Sequence, residues 1–357
     1  MFMMILASTL VAASAVFVTA AASQKAPGSY VQRCPNITGT INVSQYQQYP
    51  ENFDFDQYRC RLYLGSLFNS TVTTYDPYTN EVIHIAKFEN ITHNHLYHVG
   101  GVRVDQNSGQ LGITINPANI FETNGADWSG LNWFIKYDPI LRKELFRVNL
   151  TEVGGGKING VQDSEVDPRG NYYVIGSFPS SIIRVDTCGN AKLWYLIEPY
   201  NATVYGAAGA AAIGDILIVN DDTYNRLLRF NMTEEQGKPT FVDVSHNMTL
   251  YHSDAIYLPP KYEGKVLLVA EDTEGLQVFF SKDAQWWSAD YLGIIPNSQL
   301  VYGNSFTSAA TQIGDSVYAL ESFFFDAAIV PWNAGNRSIF PEPDVTDALA
   351  ALVAPYL

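Results

Sequence analysis

The chain has 357 residues, 47% of them apolar and 16% charged, which allows a large core and excludes wholesale disorder. Acidic residues outnumber basic ones 36 to 21, a formal charge of −15, so a nucleic-acid footprint is excluded and an anionic membrane surface is disfavoured. With 22 Tyr, 19 Phe and 6 Trp, the composition suits strands and apolar pockets better than long helices.

Residues 1–23 carry no charged side chain and run from Phe2-Met3-Met4-Ile5-Leu6 through an Ala/Val-rich stretch to Ala20-Ala21-Ala22-Ser23. This reads as a secretory signal peptide; an uncleaved anchor is the alternative, since about twenty apolar residues can span a bilayer. Nine Asn-x-Ser/Thr sequons support the secretory route independently, at Asn36, Asn42, Asn69, Asn90, Asn149, Asn201, Asn231, Asn247 and Asn336. The expected location is the secretory pathway, lumenal or secreted, with no membrane association after cleavage. Residues 24–357 are expected to form one domain with an N-terminal arm at 24–60. Cys34 and Cys60 are expected to pair within that arm, contributing roughly 3 kcal/mol by loop closure. Cys188 then stays free in a turn.

After the arm the chain repeats a phrase: a strand opening on small residues, a glycine turn, a β-rich strand, then a strand ending in Asp or Asn. Gly101-Val102-Arg103-Val104-Asp105, Asp163-Ser164-Glu165-Val166 and Ala210-Ala211-Ala212-Ile213 open three copies; Asp254-Ala255-Ile256-Tyr257 and Ala309-Ala310-Thr311-Gln312 open two more. An incomplete copy begins at Arg61-Leu62-Tyr63-Leu64. Starts near 61, 101, 163, 207, 254 and 307 lie 40 to 62 residues apart. That period predicts an all-β fold, a six-bladed β-propeller of four-stranded blades around a central channel. The longest interval carries an insertion, Asn116 to Leu131, expected to cover one mouth of the channel. Helical spacing is confined to Val345 through Ala354.

In a propeller the openings of the innermost strands face the channel. Alignment of the copies places Gly100-Gly101, Gln162-Asp163, Gly206-Ala207, Ser253-Asp254 and Phe306-Thr307 there, with His98, Tyr205, His252 and Ser305 close by. So many Gly and Ala residues are expected to leave open space, with Phe68, Trp128, Trp133, Phe178, Tyr224 and Phe323 as an aromatic rim. Such a pocket suits small, mostly apolar molecules. Asp163, Asp254 and His252 offer an acid/base set, or the two aspartates simply bond backbone amides in strand turns. Arg103 and Glu165 read as a solvated face or a local ion pair. Asn220-Asp221-Asp222 and Glu271-Asp272 end two strands and offer calcium ligands or, alternatively, turn formers. No zinc-ligand spacing occurs, and no metal is assigned to the site.

The stretch Leu64-Gly65-Ser66-Leu67-Phe68-Asn69-Ser70-Thr71-Val72 through Tyr75-Asp76-Pro77, with Gly101-Val102-Arg103-Val104-Asp105, resembles a fungal group of secreted propeller-like proteins. These are encoded in secondary-metabolite gene clusters, the trichothecene cluster among them. The chain is also similar to the hetero-Diels–Alderases of tropolone–sesquiterpene pathways, which belong to that group. The resemblance implies an intermolecular cycloaddition between a tropolone o-quinone methide and a humulene-type alkene, with no metal or organic cofactor. In that setting His98, Tyr205 or His252 would donate a hydrogen bond to the quinone-methide carbonyl. Asp163 or Asp254 would help expel water from a hydroxymethyl precursor. A calcium-dependent lactonase of the gluconolactonase kind and a non-catalytic secreted binding protein are the competing expectations. The oligomeric state is left open.

Overall fold

The computed structural model describes residues 34–357 apart from 124, 128, 246–247, 251, 299–304 and 328–333. The signal segment at 1–23 and the start of the arm therefore lie outside the described residues.

After a short strand β1 (Ile41–Ser44) come β2 (Pro50–Asp56), β3 (Arg61–Ser66), β4 (Thr71–Asp76) and β5 (Glu81–Ala86), one four-stranded sheet in chain order. The second sheet holds β6 (Tyr97–Val104), β7 (Leu111–Pro117), β8 (Trp133–Asp138) and β9 (Lys143–Asn149). The third follows with β10 (Asn159–Val166), β11 (Tyr172–Phe178), β12 (Ser181–Val185) and β13 (Ala191–Leu196). In the fourth are β14 (Ala210–Ile213), β15 (Ile216–Asp221), β16 (Arg226–Asn231) and β17 (Thr240–Phe241). The fifth contains β19 (Ser253–Tyr257), β20 (Val266–Glu271), β21 (Gly275–Phe280) and β22 (Ser288–Pro296), extended by a parallel strand β18 (Asp243–Val244).

The fold is all-β and a propeller, with five complete blades rather than the expected six. Among the described residues two pairs stand in place of a sixth four-stranded sheet, β23 (Phe306–Ile313) with β24 (Ser316–Ser322), and β25 (Ile339–Glu342) with β1. A single bridge, Tyr318 to Asp344, links them. The reason is proline. Ala319 donates to Pro343 O and Val345 to Val317 O, so alternate residues of this segment face β24. Two of them, Pro341 and Pro343, have no N–H, and the ladder cannot extend.

Pro50–Asp56, which sequence patterning leaves inside the arm, is the innermost strand of the first blade, so the first copy is complete. The first strands β2, β6, β10, β14, β19 and β23 touch in turn, and β23 touches β2 again, closing a ring. Between neighbouring sheets lie the apolar cores, for example Val99, Ile113 and Ile135 packed with Tyr63 and Val72. Among the described residues three short α-helices accompany the strands: α1 (Ala118–Glu122), α2 (Leu150–Val153) and α3 (Thr346–Val353), the last at the expected place. None of the described helices is long and apolar enough to cross a membrane.

Cys34 and Cys60 form the expected disulfide, with Cα atoms 5.5 Å apart, and Cys188 is an exposed free thiol. Asn36, Asn42, Asn90, Asn201, Asn231 and Asn336 are exposed, and Asn69 and Asn149 are half-buried. Asn247 lies outside the described residues.

Candidate functional site

Five of the six innermost strands are interrupted at the same level by a β-bulge. The ladders skip Glu51-Asn52, Gly100-Gly101, Gln162-Asp163, Asp254-Ala255 and Ser308. Bulges re-aim side chains, and here they turn them toward the ring axis. In the fourth sheet Ala208-Gly209, just before β14, occupies that level. A Cβ on Gly209 would stand 2.5 Å from Ile256 N, as one on Gly101 would stand 2.5 Å from Gln162 O and 2.9 Å from Asp163 Cα.

Those distances overturn the open-space reading of the glycines. Gly101 and Gly209 are there because the next strand's backbone is in contact, so neither lines a void. Ala207 is likewise buried, its N–H donating to Ser180 Oγ at 2.9 Å. The sequence alignment is right for Gly100-Gly101 and Gln162-Asp163. It runs two residues early at Gly206-Ala207 and one early at Ser253-Asp254. The leading bulge residues alternate around the ring: Glu51, Gly100, Gln162, Ala208, Asp254. Large polar side chains from the first, third and fifth blades thus share a throat with small residues between them.

Below the throat the channel is plugged. Arg103 donates from Nε to Ser164 O at 2.9 Å and from Nη2 to Asp163 Oδ2 and Ala210 O, both at 3.4 Å. Its guanidinium also faces Asp54 at 3.7 Å and Glu165 at 3.8 Å. Burial opposes its charge, but Glu165, Asp163 and Asp54 more than compensate and hold its pKa above the ordinary value. Asp163 accepts from the backbone N–H of Ser164 and Ala210 as well. Asp163 is thus engaged by backbone amides and by Arg103, as the second of its two sequence readings has it. Glu165 is pushed up to about 7 by desolvation, partly offset by Arg103.

Above the throat the insertion forms a lid. Phe121 of α1 meets Phe68, His98 and Phe324 edge-on, at 6.4, 5.7 and 5.3 Å between ring centres. A Cβ on Gly125 would touch Phe178 at 2.6 Å, so the same segment reaches the third blade. Phe178 packs on Tyr205 at 5.5 Å, and Tyr205 on His252 at 5.9 Å. Two aromatic walls therefore flank the mouth under one cap. Tyr205 OH donates to Ser253 O at 2.8 Å, which uses its proton within the protein.

Seven of the fourteen unmatched buried side-chain polar atoms among the described residues lie here. Glu51 Oε2, both ring nitrogens of His98, Asn116 Oδ1, Ser177 Oγ, Ser305 Oγ and Glu321 Oε2 are buried atoms without a hydrogen-bond partner. All six residues stand where first strands begin or second strands end, which is the same mouth. His98 is 1% exposed, and desolvation lowers its pKa to about 3, so its imidazole is neutral. Burial, then Asp163 and Asp272, raises Glu51 well above the carboxylate range. Burial, then Glu51 and Asp272, does the same to Asp254. Asp272 is pushed up to about 7 by desolvation and Asp222. Asp254 is half-buried. Burial thus favours the neutral form of each of these acids.

Other expected site residues separate into two groups. Phe68, Gln162, Phe178, Ser305, Phe306 and Thr307 are at the mouth, Thr307 donating to Glu321 Oε1 at 3.0 Å. Trp133 is three strands out from the axis, beside Arg147. Tyr224 is 48% exposed and stacked on Arg226, and Phe323 is fully buried in a core beneath Arg337. Neither lines the channel. Trp128 lies outside the described residues. Four of the five calcium candidates are engaged elsewhere: Asn220 with Ser253, Asp221 with Ser180 and Arg226, Asp222 with Ser253, Glu271 with Gln277. Among the described residues no three His, Cys, Asp or Glu side chains are grouped to hold a metal ion. Glu51, Asn116, Phe121, Phe324 and Glu321 are the mouth residues that sequence reasoning missed.

No family model matches the chain. It is 33% identical over 340 residues to trichothecene biosynthesis protein 14 of Trichoderma arundinaceum, spanning 90% of this chain and 92% of that protein. It is 30% identical over 349 residues to the core trichothecene cluster protein 14 of Fusarium sporotrichioides, spanning 92% and 90%. Among solved structures, the Malassezia sympodialis allergen Mala s 1 superposes with a TM-score of 0.75 at 21% identity, over 87% of this chain and 96% of the allergen. A Xanthomonas campestris gluconolactonase superposes at 0.53 with 14% identity, over 85% and 89%, a likeness of fold alone.

Proposed function

The chain belongs to the family of trichothecene cluster protein 14, fungal secondary-metabolite cluster proteins, and from that premise we propose that it is a cofactor-independent pericyclase. Its reaction is a hetero-Diels–Alder cycloaddition between a tropolone o-quinone methide and a humulene-type sesquiterpene, held in the lidded mouth. The supporting observation is the gathering of unmatched buried polar atoms there, between aromatic walls. Each such atom costs about 1–3 kcal/mol, a cost offset when a bound molecule supplies the missing partner. The aromatic walls suit the terpene; the unmatched groups suit the oxygen-bearing partner.

A cycloaddition forms its C–C and C–O bonds from the electrons already in the two reactants, so no nucleophile is required. Holding both partners in attack geometry removes up to roughly 7–11 kcal/mol of barrier. Neutral His98 donates an N–H to the quinone-methide carbonyl and lowers its acceptor orbital. Tyr205 is less suited, since its proton is given to Ser253 O. Protonated Glu51 or Asp254 passes its proton to the hydroxyl of a hydroxymethyl precursor. The C–O bond breaks, water leaves, and the ring hydroxyl returns a proton to the carboxylate. A chamber also needs a closed wall, and in this reading β23–β24 with β25–β1 serves as a composite sixth blade. The disulfide and the exposed sequons are compatible with a secreted protein.

The test is incubation of the purified protein with a hydroxymethyl tropolone and a humulene-type alkene, with chiral product analysis. A single-enantiomer adduct is expected, slowed 10²- to 10³-fold in His98→Ala by loss of one oriented hydrogen bond. Adduct only at the uncatalysed rate sinks the proposal. Chelator-sensitive lactone hydrolysis would move the protein to the gluconolactonase-like class instead.

A further inference from the structure

Asn69 differs from the exposed sequon asparagines. It is half-buried and lines a cleft of about 330 Å³ between the β1–β2 loop and the β4–β5 face of the first blade. That volume is at the small end of ligand pockets, sized for a sugar ring or two rather than a long chain. The lining mixes apolar surface, Ile85 among it, with Thr71, Lys87 and His93, and Tyr46 stands at the rim, 57% exposed. A hydroxyl, an imidazole and an ammonium beside apolar surface and one open aromatic ring are groups that hold a pyranose.

The acceptor amide is already positioned. Asn69 Nδ2 donates one N–H to Gln47 O at 3.0 Å. An N-linked sugar converts that nitrogen to a secondary amide with one N–H remaining, enough to serve a single acceptor such as Gln47 O. Gln47 is tied down in turn, its Nε2 donating to Gly335 O at 2.8 Å and Ala334 O at 3.2 Å. The loop it belongs to connects β1, the partner of β25, to the inner strand β2 that carries Glu51.

We propose that Asn69 carries an N-glycan whose first N-acetylglucosamine units fill this cleft and clip the β1–β2 loop to the first blade. The glycan here is a structural part of the ring's closure, whereas those on Asn231 or Asn336 project into solvent. The inference needs passage through the secretory route and is independent of any chemistry in the mouth.

The experiment is site-resolved glycopeptide mass spectrometry of protein secreted from a fungal host, before and after native treatment with a peptide N-glycosidase. Asn231 and Asn336 should be released rapidly. Asn69 should carry a glycan released at least tenfold more slowly, until denaturation removes the difference. Thr71→Val destroys the sequon but keeps the Asn69 amide; it should lower the thermal midpoint by a few degrees. Thr71→Ser, which keeps the sequon, should not. An unmodified Asn69, or native release at the Asn231 rate, overturns the proposal; so does a Thr71→Val protein that melts with the wild type.

Discussion

Replacing His98 with Leu separates the cost of the mouth from its use. Both imidazole nitrogens are buried without a partner, and leaving a polar group in that state costs about 1–3 kcal/mol. Taking one penalty per nitrogen, removal returns roughly 2–6 kcal/mol. Against this, the ring's edge contacts with Phe68 at 5.6 Å and Phe121 at 5.7 Å are lost. At roughly 0.5–1.5 kcal/mol apiece, they offset part of that and leave a net gain centred on about 2 kcal/mol at neutral pH. The pH dependence sharpens the test. Burial lowers the folded-state pKa to about 3, well under the unfolded value near 6.5. The unfolded chain therefore binds the proton first, and wild-type stability falls as pH drops through 6.5 toward the folded value. Between pH 6.5 and 5 this amounts to about 2 kcal/mol, which His98→Leu does not lose. Urea unfolding at pH 7 and pH 5 should show the variant ahead at both, with the gap wider at pH 5, while turnover is lost. A variant less stable than wild type at both pH values would mean that the imidazole is a structural member of the wall. That result refutes the reasoning.

Three further outcomes follow from the same contacts. Cys34→Ser or Cys60→Ser should cost about 2–4 kcal/mol in thermal or chemical unfolding, and Cys188→Ser nothing measurable, because only the first two are bridged. Glu51→Gln removes a carboxyl whose pKa burial, Asp163 and Asp272 raise, so wild-type stability falls as pH rises above the unfolded value near 4.3 toward the folded one. The variant should gain on wild type between pH 5 and 8; parallel pH profiles would show that Glu51 is not held protonated. Gly101→Ala places a Cβ 2.5 Å from Gln162 O, a backbone atom, and should cost about 3 kcal/mol or more. Wild-type stability in that variant would mean that the two inner strands are further apart than described.

What was legible in the sequence was local, and what was hidden depended on a neighbour. The glycine turns and paired β-rich runs recur within each copy, so the propeller and the strand openings at Gly100-Gly101 and Gln162-Asp163 can be read from one stretch of chain. β2 could not: Pro50-Glu51-Asn52-Phe53-Asp54-Phe55-Asp56 sets acids among its aromatics and resembles a solvated arm. Asp54 is tolerated inside because Arg103, from the next sheet, comes within 3.7 Å of it. The same arginine removes Asp163 from the list of available acids. A glycine records only that a side chain is missing, not whether the space is open; at Gly101 it is filled by the backbone of β10. Alignment errors at the strand openings mattered for a further reason. Successive side chains in a strand face opposite sides, so a shift of one residue exchanges the groups that face the throat with those that do not. In the fifth blade that shift confuses Ser253, whose N–H is bonded to Asp222, with the bulged Asp254. In the first blade the whole opening was set aside with the arm, and with it Glu51, the acid that stands at Asp254's own level in the ring.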